Sequence, residues 1–193
     1  PHHTTPHHTT RYISHTEYIN LANNNLYGTL PVQLSRLSNL NSLDVAGNSL
    51  GGGNNNQDVA DFLLAFSRSL LHLNVEANQF QGRLSDVQYG TEYLNRLVEL
   101  SIGFNPLLIG TIPTSVGQLT QLQELNILGN TGMRGPVPSE VCELATKVRE
   151  PLVIYVDCTK LMGCAAVQCI DENKYQDYDD YRKNCGDECG RNV

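Results

Sequence analysis

Apolar residues recur along this chain in pairs one position apart, and each pair is followed three residues later by asparagine. The stretch Ile19-Asn20-Leu21-Ala22-Asn23-Asn24-Asn25-Leu26 aligns with Leu43 to Leu50, Leu73 to Phe80, Leu100 to Leu107 and Leu125 to Asn130. The asparagine falls at 24, 48, 78, 105 and 130, in steps of 24, 30, 27 and 25 residues. A sixth copy, Ile154-Tyr155-Val156-Asp157-Cys158-Thr159, has Thr in place of Asn. Alternation of period two predicts a short strand with one apolar face. Self-similarity at this step predicts a solenoid, because one such strand cannot bury its apolar face until copies stack on it. The asparagine is expected to turn inward. Its buried amide must then find backbone partners where the chain leaves the strand, which favours one fixed residue type.

Three turns carry a second signature: Leu26-Tyr27-Gly28-Thr29-Leu30-Pro31, Ile109-Gly110-Thr111-Ile112-Pro113 and Arg134-Gly135-Pro136-Val137-Pro138. A degenerate version is Phe80-Gln81-Gly82-Arg83-Leu84-Ser85. The glycine permits a tight bend, and the proline favours extended backbone before it. With these turns, residues 16–159, about three quarters of the chain, resemble the plant-type leucine-rich repeat. The resemblance implies an α/β solenoid: a right-handed leucine-rich-repeat superhelix with a parallel concave sheet. The tail pattern Val156-Asp157-Cys158, then Val167-Gln168-Cys169, is similar to the cysteine-rich end of secreted algal repeat proteins of this class.

The third repeat is stretched. Gly51-Gly52-Gly53-Asn54-Asn55-Asn56 predicts a loop. Asp58 to Arg68 predicts a helix, with Val59, Phe62, Leu63 and Phe66 on one face and Asp58 as its cap. A second short helix is expected over Thr91 to Leu97. Residues 1–15 repeat a Pro/His/Thr unit and predict a linker. Residues 160–193 form an acidic, cysteine-rich cap; within it Tyr175, Tyr178 and Tyr181 fit one helix face. The paired-cysteine N-terminal cap usual in the family is absent from the sequence, so the first repeat is expected to be exposed or covered by a partner.

All six cysteines, Cys142, Cys158, Cys164, Cys169, Cys185 and Cys189, lie in the last 52 residues. Their even number at one end predicts disulfides that staple the C-terminus, hence a secreted, extracellular or cell-surface protein. Six cysteines allow fifteen pairings, and the sequence does not choose among them. Their spacing lacks a C-x2-C zinc pair.

A net charge of −7 and a pI near 5.3 argue against nucleic acid, whose phosphates need clustered Lys and Arg. No apolar run approaches the ~18 residues of a membrane helix. The residues flanking the L-x-L positions should form three rows across the concave face. One is Tyr18, Ser42, His72, Glu99, Glu124; the next is Asn20, Asp44, Asn74, Ser101, Asn126, Tyr155; the third is Ala22, Ala46, Glu76, Gly103, Leu128. These rows are acidic and hold no Lys or Arg, which favours a cationic partner. The expected contacts are Tyr18, Asp44, His72, Glu76, Glu99, Phe104, Glu124 and Tyr155. His72, Glu99 and Glu124 could in principle chelate a metal or move protons. However, they imply no buried pocket, and no phosphate loop, nucleophile elbow or HExxH motif is present. The expectation is therefore a non-enzymatic binding module with no cofactor and no metal, recognising a protein, basic for preference, or a glycan. The rival reading is a structural subunit that self-assembles into an extracellular or cell-surface complex.

Overall fold

The structure is a computed structural model that describes residues 16–51, 58–65, 69–84, 94–147, 152–157 and 167–170. The linker, most of the cysteine-rich segment and the Tyr175–Tyr181 face lie outside the described residues. In chain order the elements are β1 (Tyr18–Asn20), β2 (Tyr27–Gly28), a 3₁₀ turn (Val32–Arg36), β3 (Ser42–Asp44), β4 (Ser49–Leu50), α1 (Val59–Ala65) and β5 (His72–Asn74). Then follow β6 (Gln81–Arg83), β7 (Glu99–Ser101), β8 (Leu107–Gly110), a second 3₁₀ turn (Thr114–Gln118), β9 (Glu124–Asn126), β10 (Gly132–Met133), α2 (Ser139–Lys147), β11 (Val153–Asp157) and β12 (Val167–Ile170).

Alternate strands build one seven-stranded parallel sheet in the order β1-β3-β5-β7-β9-β11-β12. The register is the one the repeat demands: Ile19, Leu43, Leu73, Leu100, Leu125 and Ile154 are successive partners. The sheet runs one strand past residue 159, because β12 pairs with β11 from Ile154↔Val167 to Asp157↔Ile170. Two lateral sheets, β2-β4 and β10-β8-β6, form where the coils leave their asparagine turns. Gly28 and Gly110 take φ of 79° and 96° there, a conformation open to glycine at no steric cost.

Leu43, Leu73, Leu100, Leu125 and Ile154 are at most 1% exposed and share one core with Phe62, Phe80, Val116 and Val141. The inserted α1 joins it through Val59, Phe62 and Leu63, and Asp58 caps the helix by accepting the Ala60 N–H at 2.7 Å. Residues 66–68 of the expected helix are outside the described residues. Over 94–97 the second expected helix is replaced by a turn, in which Leu94 has φ 57°. The spacing Leu94, Leu97, Leu100 belongs to the coil's own inward positions, and all three are buried.

The recurrent asparagines form the expected ladder. Asn105 Nδ2 donates to Val75, Ile102 and Gly103 carbonyls at 3.0–3.1 Å, and its Oδ1 accepts the Phe80 N–H at 3.0 Å. Asn78 repeats this one coil earlier, toward Val45, Val75 and Glu76 carbonyls and the Leu50 N–H. Each amide thus ties its own turn to the preceding one, satisfying groups that would cost about 1–3 kcal/mol each if left buried and unpaired.

Candidate functional site on the open face of the main sheet

Parallel pairing in register places Tyr18, Ser42, His72, Glu99, Glu124 and Val153 in one row. Neighbouring strands lie about 4.8 Å apart, so side chains in the row are next to each other. Tyr18 is 61% exposed, and its hydroxyl accepts a hydrogen bond from Asn20 Nδ2 at 3.2 Å. His72 and Glu99 are joined through Nδ1 and Oε2 at 3.2 Å. Both remain open to solvent, at 47% and 37% side-chain exposure.

The middle row is shared between surface and scaffold. Asn20, Asp44, Asn74 and Asn126 each use Oδ1 to accept the backbone N–H two residues on, at 2.9–3.1 Å. This local bond closes the strand end in the manner of an Asx turn. Asp44 keeps its second carboxylate oxygen without a partner among the described residues. From Ser101 onward the row closes over: Ser101 and Asn126 are 3% exposed and Tyr155 is 4%.

From Ala46 onward the third row does not face solvent. Ala46, Glu76 and Leu128 are 2%, 6% and 2% exposed, because the chain already turns inward there. The residue just before each ladder asparagine is left-handed, from Asn23 and Gly47 through Ala77 and Phe104 to Gly129. Glu76, expected as a contact, instead lies across Gly103 and accepts Asn126 Nδ2 at 2.5 Å. A Cβ on Gly103 would sit 2.8 Å from the Leu128 carbonyl oxygen and 3.4 Å from Glu76 Oε1. Tyr155 is likewise buried rather than presented. Phe104 is half-buried, with its ring over Gly129. Of the expected contacts, those the structure leaves accessible are Tyr18, Asp44, His72, Glu99, Glu124 and, in part, Phe104.

Electrostatics follow from this packing. Burial pushes the Glu124 carboxyl up from 4.5 to about 6, helped by the like charge of Glu99 on the next strand. Burial also raises the Tyr155 hydroxyl, with the Glu124 charge adding to it. Ser42, His72 and Glu99 stand in the order of a hydrolase relay, yet Ser42 makes no hydrogen bond to His72. The backbone N–H groups of Asn41 and Ser42 donate to the Glu17 carbonyl, and those of Leu71 and His72 to the Asn41 carbonyl. Among the described residues no three His, Cys, Asp or Glu side chains cluster to hold a metal, and no helix is long and apolar enough to cross a membrane. Cys142, at the edge of the core on α2, is disulfide-bonded; the side chains of the other five cysteines lie outside the described residues.

Comparison with known proteins agrees with the coil geometry. The family described as Leucine Rich Repeat matches residues 15–37. "Cuscuta receptor 1" of Solanum lycopersicum is 32% identical over 99 residues, 51% of this chain and 8% of that protein. "Receptor-like protein 41" of Arabidopsis thaliana is 31% identical over 131 residues, 66% of this chain and 14% of that protein. The chain thus spans a small part of the length of these relatives. Among solved structures, the BIR2 ectodomain from Arabidopsis thaliana superposes with a TM-score of 0.51 at 22% identity, covering 63% of this chain and 58% of that one. The plant peptide hormone receptor RGFR1 in complex with RGF2 gives 0.59 at 23% identity, covering 80% and 24%. These structural likenesses are likenesses of fold.

Proposed function

Starting from a chain that is a leucine-rich-repeat protein of the plant type, we propose that it is an extracellular, non-enzymatic recognition module. It binds a protein partner, basic where it meets the sheet, along the accessible row of Tyr18, His72, Glu99 and Glu124, with Asp44 beside it in the next row. The observation that carries this reading is the row itself: aromatic and carboxylate side chains in register on successive strands, with no Lys or Arg among them. Such a surface is fixed before the partner arrives, so little side-chain freedom is lost on docking. Support comes also from the relatives, which are named as receptors, and from a fold neighbour whose structure holds a peptide hormone. Secretion is supported by the cysteine count and by the bonded state of Cys142.

Peptides of equal length and graded net charge, tested by biolayer interferometry against the immobilised full chain, are expected to bind more tightly as positive charge rises. The double reversal Glu99→Lys with Glu124→Lys is expected to abolish that trend. A trend that survives the reversal would move the site to another face.

The second reading, a subunit of an extracellular assembly, draws on exposed apolar side chains of the lateral strands. Tyr27 is 85% exposed, Leu107 48% and Ile109 43%. Light scattering over a concentration series separates the two: mass growth that Tyr27→Ser with Ile109→Ser removes would favour assembly.

A further inference from the structure

The accessible row is not uniform. Ser42 is small and stands between Tyr18 and His72, so the row dips there, and a recess of about 380 Å³ opens over β1, β3 and β5. Its sides are Tyr18, His72, Asp44, Asn74 and Glu99. The strands that carry Tyr18 and His72 are two spacings apart, about 10 Å, which leaves room for one flat group between the two rings.

The polar inventory of this recess is mainly accepting, with Asn74 Nδ2 and the Ser42 hydroxyl as donors among its lining. Asp44 spends one oxygen on the Ala46 N–H at 3.0 Å and has the other free. Glu99 is a carboxylate that can only accept, so in the neutral His72 ring Nδ1 holds the proton of their 3.2 Å bond and Nε2 is left as an acceptor. Tyr18 offers the negative face of an exposed ring, held in place by its bond from Asn20. The accepting groups left for a ligand are thus a carboxylate oxygen, the ring nitrogen lone pair of neutral His72, a second carboxylate and an aromatic face. All of them call for a donor-only, cationic, planar group. Arginine is the side chain with that description: five N–H donors, no acceptor, a flat guanidinium that stacks on rings and pairs with carboxylates. Lysine has the charge without the plane.

We infer that this recess is the specificity pocket of the proposed binding face and takes one arginine side chain of the partner between Tyr18 and His72, paired with Asp44. The inference rests on the recognition reading above and narrows it to one residue type at one place. No covalent step is involved.

The test is an NMR titration of the ¹⁵N-labelled full chain with a blocked glycine-arginine-glycine tripeptide. Analogues carrying citrulline (same shape, no charge) or lysine (charge, no plane) serve as comparisons. Saturable shifts are expected at the amides of residues 42–44 and 72–74. Binding should weaken at least about tenfold with citrulline, and about fivefold or more with lysine. Asp44→Asn keeps the oxygen that holds the Ala46 N–H, so the fold is preserved while the charge is removed. It should weaken the arginine tripeptide about fivefold or more, and so should Tyr18→Leu. Equal responses to citrulline or lysine overturn the inference, as does an unaltered response in Asp44→Asn. Shifts confined to amides around Glu124 overturn the pocket but leave the acidic face as the binding surface. Absence of shifts anywhere on the main sheet overturns both.

Discussion

Asn105 is fully buried, and its amide bonds three carbonyls and one N–H drawn from two coils. Asn24 occupies the same repeat position but is exposed, and among the described residues it bonds the Leu21 and Ala22 carbonyls of its own coil. Asn105→Ala should therefore cost about 3 kcal/mol or more, since several buried groups lose their partners together. Asn24→Ala should cost under about 1 kcal/mol, because water replaces what is lost; urea unfolding midpoints read both. The asparagine period made the ladder legible in the sequence. The left-handed residue before it was not, since Asn23, Gly47, Ala77, Phe104 and Gly129 share a backbone state and no side-chain chemistry. That hidden turn is why counting along the strands placed Glu76 on the surface when it is buried. Glu124 provides a second test at this scale. Its folded carboxyl titrates at about 6 against 4.5 unfolded, so between those values the native state holds more protons than the unfolded chain. Stability should fall as pH rises through that window and stay lower above it. Glu124→Gln should thus melt higher than the wild type near pH 7.5, by on the order of 1 kcal/mol after solvent screening, with the gap closing below pH 4.5. Circular dichroism melts at the two pH values check the sign.

The inserted α1 shows what an element adds to a stack that already has its own core. Its Phe62 ring packs on Phe80 with centroids 4.9 Å apart and planes tilted by 48°. Both rings are at most 1% exposed. Phe80 belongs to the repeat, two positions after its asparagine, so the helix is fastened to the coil by an aromatic pair. Phe62→Ala should destabilise the protein by about 3–5 kcal/mol through the cavity it leaves. Asp58→Ala, which removes only the cap, should cost about 1 kcal/mol. If the two cost the same in thermal melts, the helix is held by its cap and not by the core. The helix was legible because Asp58 precedes apolar residues at i, i+3 and i+4. Over 94–97 the expected second helix is a turn instead. In a coil whose inward leucines are three apart, that spacing is satisfied by Leu94, Leu97 and Leu100 with no helix at all. Spacing identifies which residues face inward, and only the cap distinguishes the two geometries.

Across the whole molecule, translation along the sheet turns single carboxylates into a field. The chain carries −7, and the exposed row holds Glu99 and Glu124 on adjacent strands with Asp44 beside it in the next row. Like charges held one strand spacing apart repel, which adds to burial as the second cause of the raised Glu124 carboxyl, and the fold tolerates this because the leucines beneath fix the register. A cation docking on the row relieves that repulsion, so its attraction acts at long range and before contact. The association rate of an arginine-containing peptide should then fall by about tenfold or more between low and high salt, with the dissociation rate changing far less. In Glu99→Gln with Glu124→Gln the salt dependence should flatten while the folded far-ultraviolet spectrum is kept. Stopped-flow association at several ionic strengths measures both slopes. A wild-type rate indifferent to salt would mean that the stacked carboxylates steer nothing. The acidity of the row would then be a property of its strands alone, and recognition would have to rest on Tyr18, His72 and Phe104.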